Sequence, residues 1–168
     1  MSVALLDRAG LVYRLQEPDG EPASGTTIVL AGTESVAQQL DALACEQAPG
    51  NRRITPEPLR FLYLGRAHVG RRWYVTGLDG EVEPATFGDA LYALEQLVIG
   101  AHEQWGAPPL LVGEGQGGAL ALALGQLLPE RLAGVVARGA ALPDVPGWRL
   151  PERSAAADAL SVRLLDAA

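Results

Sequence analysis

The sequence predicts an α/β fold: a three-layer sandwich in which helices cover both faces of a mostly parallel central sheet. Short, wholly apolar segments, typical of strands buried on both faces, alternate with segments of helical periodicity. Such alternation implies right-handed crossovers between parallel strands. In addition, an apolar strand over residues 110–112 runs through a glycine-dense turn directly into a helix.

Composition limits both the domain organisation and the partners. With 168 residues, 48% of them hydrophobic, we expect one domain over residues 1–168. The net charge of −7 and the lack of lysine exclude a Schiff-base or phosphate-loop lysine, and argue against nucleic acid or a membrane as partner. No apolar run reaches about 18 residues and no basic leader is evident, so we expect a soluble, cytoplasmic protein. The single cysteine, Cys45, is expected to be an inert, buried helical thiol, and we expect no metal or cofactor.

The first half of the chain is predicted to begin with an amino-terminal β-hairpin. Strand 27–30 should end at the turn formed by Ala31, Gly32 and Thr33, and Thr33 and Ser35 should cap the next helix. The elements in order are a hairpin over residues 3–6 and 11–15, a strand over 27–30, a helix over 35–48, an exit loop over 49–58, a strand over 61–64 and a long excursion over 65–84.

The second half contains the clearest helix. Thr86 and Asp89 match a capping box, apolar residues recur at helical spacing up to Trp105, and Gly106 should end the helix. Further elements are a strand over 110–112, a helix up to 128, a strand over 134–137, a short helix over 154–158 and a half-exposed strand with Leu160, Val162 and Leu164 on one face. We expect this last strand to close the edge of the sheet or to make a homodimer through an exposed sheet edge.

The glycine-dense turn is the predicted site. The helix that follows it is apolar on nearly all sides, so the preceding strand should be central, and open α/β sheets place their sites at the carboxyl ends of such strands. A turn of this kind carries either a nucleophile, as in G-x-S-x-G, or a pyrophosphate, as in G-x-G-x-x-G. The centre of the first pattern is Gly115.

Residues 113–119 (GEGQGGA) and 128–136 (LPERLAGVV) resemble the elbow region of the α/β-hydrolase superfamily. They are most similar to its phospholipase/carboxylesterase (acyl-protein thioesterase-like) branch, whose pattern is G-x-S-Q-G-G followed by P-E-R-L-A-G-V. Residues 71–74 resemble the tryptophan-bearing loop of that branch, and residues 28–33 its first core strand and H-G oxyanion turn. The resemblance covers roughly residues 25–143 and implies a small α/β-hydrolase-like fold.

The departures from that pattern concern catalysis. The nucleophile position holds Gly115, the oxyanion turn begins with Ala31 instead of histidine, and no histidine follows His102. The sequence also stops before the last strands of the family, so we expect a C-terminally shortened fold. The hypothesis is a catalytically inactive, esterase-related protein with a binding, assembly or vestigial role.

The resemblance implies a residual oxyanion-type pocket, with candidate residues Ala31, Gly32, Gln116 and Gly117. A small anionic or acyl ligand is the expected occupant, because the N–H groups at the helix start attract such groups. His68 and Trp73 are candidate site-lining residues. Glu114 is expected to point to the surface or a partner, His102 to lie at the rim of its helix face, and Asp144 to be a turn residue.

Two alternatives stay open. Gly113, Gly115 and Gly118 satisfy the dinucleotide pattern, and Arg138, at the end of the next strand, would suit the 2′-phosphate of NADP. Alternatively, the protein is an active carboxylesterase or thioesterase with relocated residues, with Cys45 or Ser35 as nucleophile and His68 as base.

Overall fold

The structure is a computed structural model that describes residues 4–20 and 22–167. A six-stranded sheet and a separate two-stranded hairpin are present in this part of the chain. The helices are α1 (Ala4–Asp7), α2 (Ala37–Gln47), α3 (Pro84–Trp105), α4 (Gln116–Leu127) and α5 (Ala155–Ala159), with a 3₁₀ turn at Pro129–Arg131. The strands are β1 (Tyr13–Gln16), β2 (Thr26–Leu30), β3 (Arg52–Pro56), β4 (Arg60–Leu64), β5 (Ala67–Arg72), β6 (Leu110–Glu114), β7 (Gly134–Arg138) and β8 (Val162–Leu165).

The central sheet has the strand order β1-β3-β2-β6-β7-β8. All neighbours are parallel except β1, which is antiparallel to β3. Ile28 of β2 lies opposite Leu111 of β6, which in turn lies opposite Val135 of β7. The mostly parallel sheet predicted from the sequence is therefore confirmed.

Two apolar clusters, one on each face of the sheet, make the fold a three-layer sandwich. Ile28 and Leu111 pack with α1, α3 and α4 on one face. Val29 and Val112, which alternate with them along the strands, pack with α2 on the other face. The alternation explains why β2 and β6 are apolar at nearly every position. No described helix is long and apolar enough to cross a membrane.

The predicted amino-terminal hairpin is wrong. Residue 3 lies outside the described part, but Ala4–Asp7 form one helical turn, and β1 pairs with β3 instead. Leu6 is fully buried in the cluster that contains α3, and the Tyr13 hydroxyl donates to Asp7 at 2.9 Å. Packing of Leu6 against distant residues thus outweighs the local strand pattern. Separately, burial raises the pKa of Tyr13 to about 12.

The predicted exit loop over residues 49–58 is also wrong, because it contains strand β3. Ile54 is fully buried between β1 and β2. The sequence did not predict this strand because two charged arginines precede Ile54. Their charges are paired, Arg52 with Glu17 at 3.2 Å and Arg53 with Asp41 at 2.8 Å.

The strand predicted over residues 61–64 exists, but it belongs to the separate hairpin. β4 pairs with β5 in antiparallel fashion, with a bulge between Leu62 and Tyr63. The predicted excursion over residues 65–84 is therefore wrong in its first part, which is strand β5. Phe61, Tyr63, Leu64 and Val69 of this hairpin are large apolar or aromatic residues that are largely exposed. His68 is exposed as well, and its ring packs against Phe61.

Helix α3 begins before the predicted capping box. Glu83 is its N-cap, and its carboxylate accepts from the backbone N–H groups of Ala85 and Thr86 at 3.3 and 2.7 Å. Asp89 pairs with Arg60 instead. The predicted end is confirmed, because Gly106 adopts the left-handed conformation that closes the helix.

The carboxyl-terminal elements match the prediction in type. The short helix is capped by the Ser154 hydroxyl, which accepts from Ala157 N–H at 3.1 Å. Strand β8 pairs with β7 and takes the edge of the sheet. The predicted half-exposed pattern is wrong, because all four residues of β8 are exposed, and Leu160 precedes the strand.

Candidate functional site

The glycine-dense turn has the geometry of a nucleophile elbow. β6 ends at Glu114, α4 begins at Gln116, and Gly115 between them has φ 53° and ψ −120°. Only glycine adopts these angles without strain. The turn is fixed by two hydrogen bonds, from Gly115 N–H to Arg138 O at 3.1 Å and from Ala119 N–H to Gly115 O at 2.9 Å. A Cβ at Gly115 would meet only Gly32 Cα, at 3.6 Å, so the elbow has room for a side chain.

The other glycines of the turn serve close packing. A Cβ at Gly113 would collide with the backbone of Gly117 and Gly118, and a Cβ at Gly117 would collide with Leu30 O. A Cβ at Gly118 would lie 2.6 Å from the Ala140 side chain. The approach of α4 to the strands therefore accounts for these glycines without a phosphate ligand.

The turn after β2 lies against the elbow. A Cβ at Gly32 would lie 2.7 Å from Glu114 O. The Gly32 N–H donates to Ser35 Oγ at 2.7 Å. Ser35 therefore closes this turn and does not cap α2 as predicted, because the N-cap of α2 is Val36, without a side-chain cap.

Gln116 and Trp73 hold the elbow to the segment that follows the hairpin. The Gln116 side chain accepts from Trp73 N–H at 2.9 Å and donates to Tyr74 O at 3.0 Å. The indole Nε1–H of Trp73, which is fully buried, donates to Ala31 O at 2.8 Å. Trp73 therefore does not line the cleft as predicted, and it holds the turn after β2 from the interior. Burial also raises the pKa of Tyr74 to about 12.

An open cleft of about 460 Å³ lies above the elbow. Gly32, Gly115 and Gln116, proposed from the sequence, line it. Ala31 and Gly117 are not lining residues, although each adjoins one that is. Ser35, the alternative nucleophile, also lines the cleft, and so do Thr33 and Glu114. Sequence reasoning missed the other lining residues, which are Glu34, Val36, Gln39, Gly139 and Ala167. Their positions could have indicated some of them, because Glu34, Val36 and Gly139 follow the carboxyl ends of β2 and β7.

The charges around the cleft are mainly negative. Glu34 and Glu114 line it, and no arginine or histidine does within the described residues. Glu114 pairs with Arg138, the residue opposite it on β7, at 2.9 Å, and the two side chains are only 20% and 12% exposed. The expectation that Glu114 points to the surface is therefore wrong. Arg138, the candidate for a 2′-phosphate, is engaged by this carboxylate.

The other candidate residues do not meet at the cleft. His68 is exposed on the hairpin and lies edge-on to Phe61, with ring centroids 5.0 Å apart. Cys45 lies on α2 as expected, but it is half-buried and not buried. His102 is half-buried in the last turn of α3. Asp144 is exposed in the loop before Val145, and the predicted turn is shifted, because the turn spans residues 145–148.

A mostly parallel sheet between two helical layers, with an elbow at the end of a central strand, defines an α/β-hydrolase fold. The structural comparisons agree with this. No protein-family model matches the sequence, and no curated protein sequence does. Solved structures do match the fold of this chain, and esterases are among them.

Esterase PE8 is 24% identical with a TM-score of 0.62, over 77% of this chain and 63% of PE8. A carboxylesterase from Mesorhizobium loti is 18% identical with a TM-score of 0.64, over 81% of this chain and 63% of the enzyme. The Bacillus cereus carboxylesterase is 14% identical with a TM-score of 0.65, over 99% of this chain and 90% of the enzyme. The chain thus spans less than two thirds of the first two proteins. At these identities the likeness shows the fold alone, and the fold is esterase-related.

Proposed function

We propose that the protein is a catalytically inactive relative of the α/β-hydrolase esterases that binds a small acyl compound in the elbow cleft. The observation that carries the proposal is Gly115. It keeps the elbow geometry, at φ 53° and ψ −120°, but has no side chain with which to attack a carbonyl. A glycine at this position relieves backbone strain of about 1–3 kcal/mol, which favours stability once catalysis is not required.

The backbone supports binding of a carbonyl group. The first N–H groups of α4, at Gln116 and Gly117, have no acceptor within the helix. Together with the positive end of the helix dipole, they suit an oxygen placed above Gly115. In an active esterase the same kind of groups stabilises the oxyanion.

The charges favour a neutral ligand over an anion. A carboxylate would bring a further negative charge beside Glu34, which lines the cleft, whereas the charge of Glu114 is already offset by Arg138. The carbonyl oxygen of an ester or amide accepts the same hydrogen bonds without that repulsion. We therefore propose a neutral acyl compound as the ligand class, and not a free carboxylic acid.

Binding is tested by following the backbone N–H signals of Gly115, Gln116 and Gly117 by NMR while a short-chain ester is added, and then the matched carboxylic acid. We expect the ester to shift these signals and the acid to leave them nearly unchanged. Gln39→Trp, which fills the cleft from α2, should abolish the shifts. Gln38→Trp, one residue away and outside the cleft, should keep them. No shift with any ester would contradict the binding role.

Inactivity is tested separately with short-chain nitrophenyl esters. We expect no release of nitrophenol above the uncatalysed rate, because no described histidine lines the cleft. Turnover by the purified protein that Gln39→Trp abolishes would show an active esterase and would contradict the proposal.

A further inference from the structure

Two consecutive segments of the chain carry opposite charges. Residues 60–72 hold Arg60, Arg66, Arg71 and Arg72 with no acidic residue. Residues 77–83 hold Asp79, Glu81 and Glu83 with no basic residue. We call residues 60–72 the basic hairpin and residues 77–83 the acidic loop. The overall charge of −7 conceals this separation.

The base of the basic hairpin is joined to the residues on either side of the acidic loop. Arg60, at the base of the hairpin, donates to Trp73 O at 2.9 Å and pairs with Asp89, in the first turns of α3, at 2.7 Å. The acidic loop lies between these two contacts in the chain, and the Thr76–Val82 bridge closes it. Neither segment contributes a residue to the elbow cleft.

Both tips combine exposed apolar surface with charge that the protein does not pair. Arg66, in the hairpin turn, makes no ion pair within residues 4–20 and 22–167, whereas Arg60 and Arg71 do. Asp79 and Glu81 likewise make no ion pair in that part of the chain. Leu64 is 76% exposed beside Arg66, and Leu78 is fully exposed beside Asp79. Tyr63 and Val69 of the same hairpin are also more than half exposed, and a group of exposed apolar residues rimmed by charge is typical of an interaction site.

We propose that a second copy of this chain docks here, with the basic hairpin of each copy against the acidic loop of the other. A two-fold axis makes each contact twice, so a chain that exposes both charges can be complementary to a second copy of itself. An anionic membrane or a nucleic acid would be repelled by the acidic loop beside the hairpin. A second copy of this chain satisfies both signs of charge and covers Leu64 and Leu78. This contact differs from the sheet-edge dimer that the sequence suggests, and it is independent of the proposed ligand.

Charge reversal tests the contact by sedimentation equilibrium at micromolar concentration. Arg66→Glu and Glu81→Arg are surface changes that should leave the circular dichroism spectrum unchanged. Each variant alone should dimerise about tenfold more weakly than the parent protein, because two exposed ion pairs become repulsive contacts. Arg149→Glu, a reversal at an exposed arginine in another loop, should dimerise like the parent protein.

The decisive sample is an equimolar mixture of the two variants. In the heterodimer, the glutamate introduced by Arg66→Glu in one copy meets the arginine introduced by Glu81→Arg in the other. The second contact is unchanged from the parent protein, so we expect dimers to return. A parent protein that stays monomeric overturns the proposal, whether or not it binds anionic vesicles. A dimer whose affinity neither reversal changes also overturns the proposal, and it would indicate a contact through the edge of β8. Variants that weaken the dimer but do not restore it when mixed overturn it as well.

Discussion

At the scale of single residues, Gly115 keeps the shape of a nucleophile elbow but supplies no nucleophile. Its φ and ψ angles preserve the elbow, and a Cβ would be tolerated by its nearest neighbour, Gly32, at 3.6 Å. The space for a nucleophile is therefore present, and the limits on adding one are backbone strain and the lack of a base.

We predict that Gly115→Ser yields no esterase. The serine would stand in a cleft that no described histidine lines, so no imidazole base is placed to accept its proton. The free energy of unfolding in urea should fall by about 1–3 kcal/mol because of the positive φ. Gly115→Ala should cost a similar amount, since the strain belongs to the backbone. A hundredfold gain in nitrophenyl ester hydrolysis would refute the prediction.

Gln116 is a second residue whose role differs from expectation. It was proposed for its backbone N–H, and its side chain also holds Trp73 and Tyr74 through hydrogen bonds of 2.9 and 3.0 Å. The sequence could not show this, because the partners are backbone atoms more than forty positions away.

We predict that Gln116→Ala lowers the free energy of unfolding by about 1–3 kcal/mol, because it leaves buried backbone groups without partners. Hydrogen exchange at Trp73 and Tyr74 N–H should accelerate. Gln126→Ala on the same helix removes only a bond of 3.3 Å to Pro151 O and serves as the control. Equal effects of the two changes would show that the Gln116 contacts add nothing specific.

At the scale of elements, the start of α3 depends on a charged cap. Hydrogen bonds from Thr86, first among the causes, lower the pKa of Glu83 from its ordinary value of 4.5. A carboxylate whose pKa is lowered in the folded state stabilises the fold above its unfolded pKa. That stabilisation is lost as the pH falls through the folded pKa.

We predict that Glu83→Gln reduces the acid sensitivity of the protein. The parent Tm should fall more steeply than the Tm of the variant as the pH decreases from about 5 towards 3. Glu152→Gln is the control, because Glu152 is an exposed glutamate that caps no helix and lies outside the proposed dimer contact. Parallel Tm curves for Glu83→Gln and the parent protein would disprove the role of the cap.

At the scale of the whole molecule, burial separates the centre of the sheet from its edge. Leu111 on β6 is fully buried, whereas Leu164 on β8 is 67% exposed. We predict that Leu111→Ala lowers the free energy of unfolding by about 2–5 kcal/mol. Leu164→Ala should change it by less than about 0.5 kcal/mol. Urea unfolding measures both, and a comparable loss at Leu164 would show that β8 is covered in solution.

The sequence predicted the parts of the fold in which local pattern and burial agree. Strands β2, β6 and β7 are apolar because both of their faces are covered, and the elbow follows from the glycines. The prediction from sequence failed where contacts between residues distant in the chain determine the structure. β3 starts with two arginines whose charges are neutralised by Glu17 and Asp41, and the helical turn at Leu6 is held by α3. At the site, the end of β6 was found, but Glu34 and Gln39 enter the cleft only through the neighbouring strand β2 and helix α2.

The pairing of β2 with β6 has a consequence for how the chain folds. These two central strands are separated in the sequence by α2, β3, the hairpin and α3, about half of the chain. The middle of the sheet therefore cannot form until a very long loop has closed, and the entropy of that closure opposes the first central contacts. Folding should be slow for a chain of this size, and the apolar strand β6 with helix α4 should stay exposed until β2 has paired with β6.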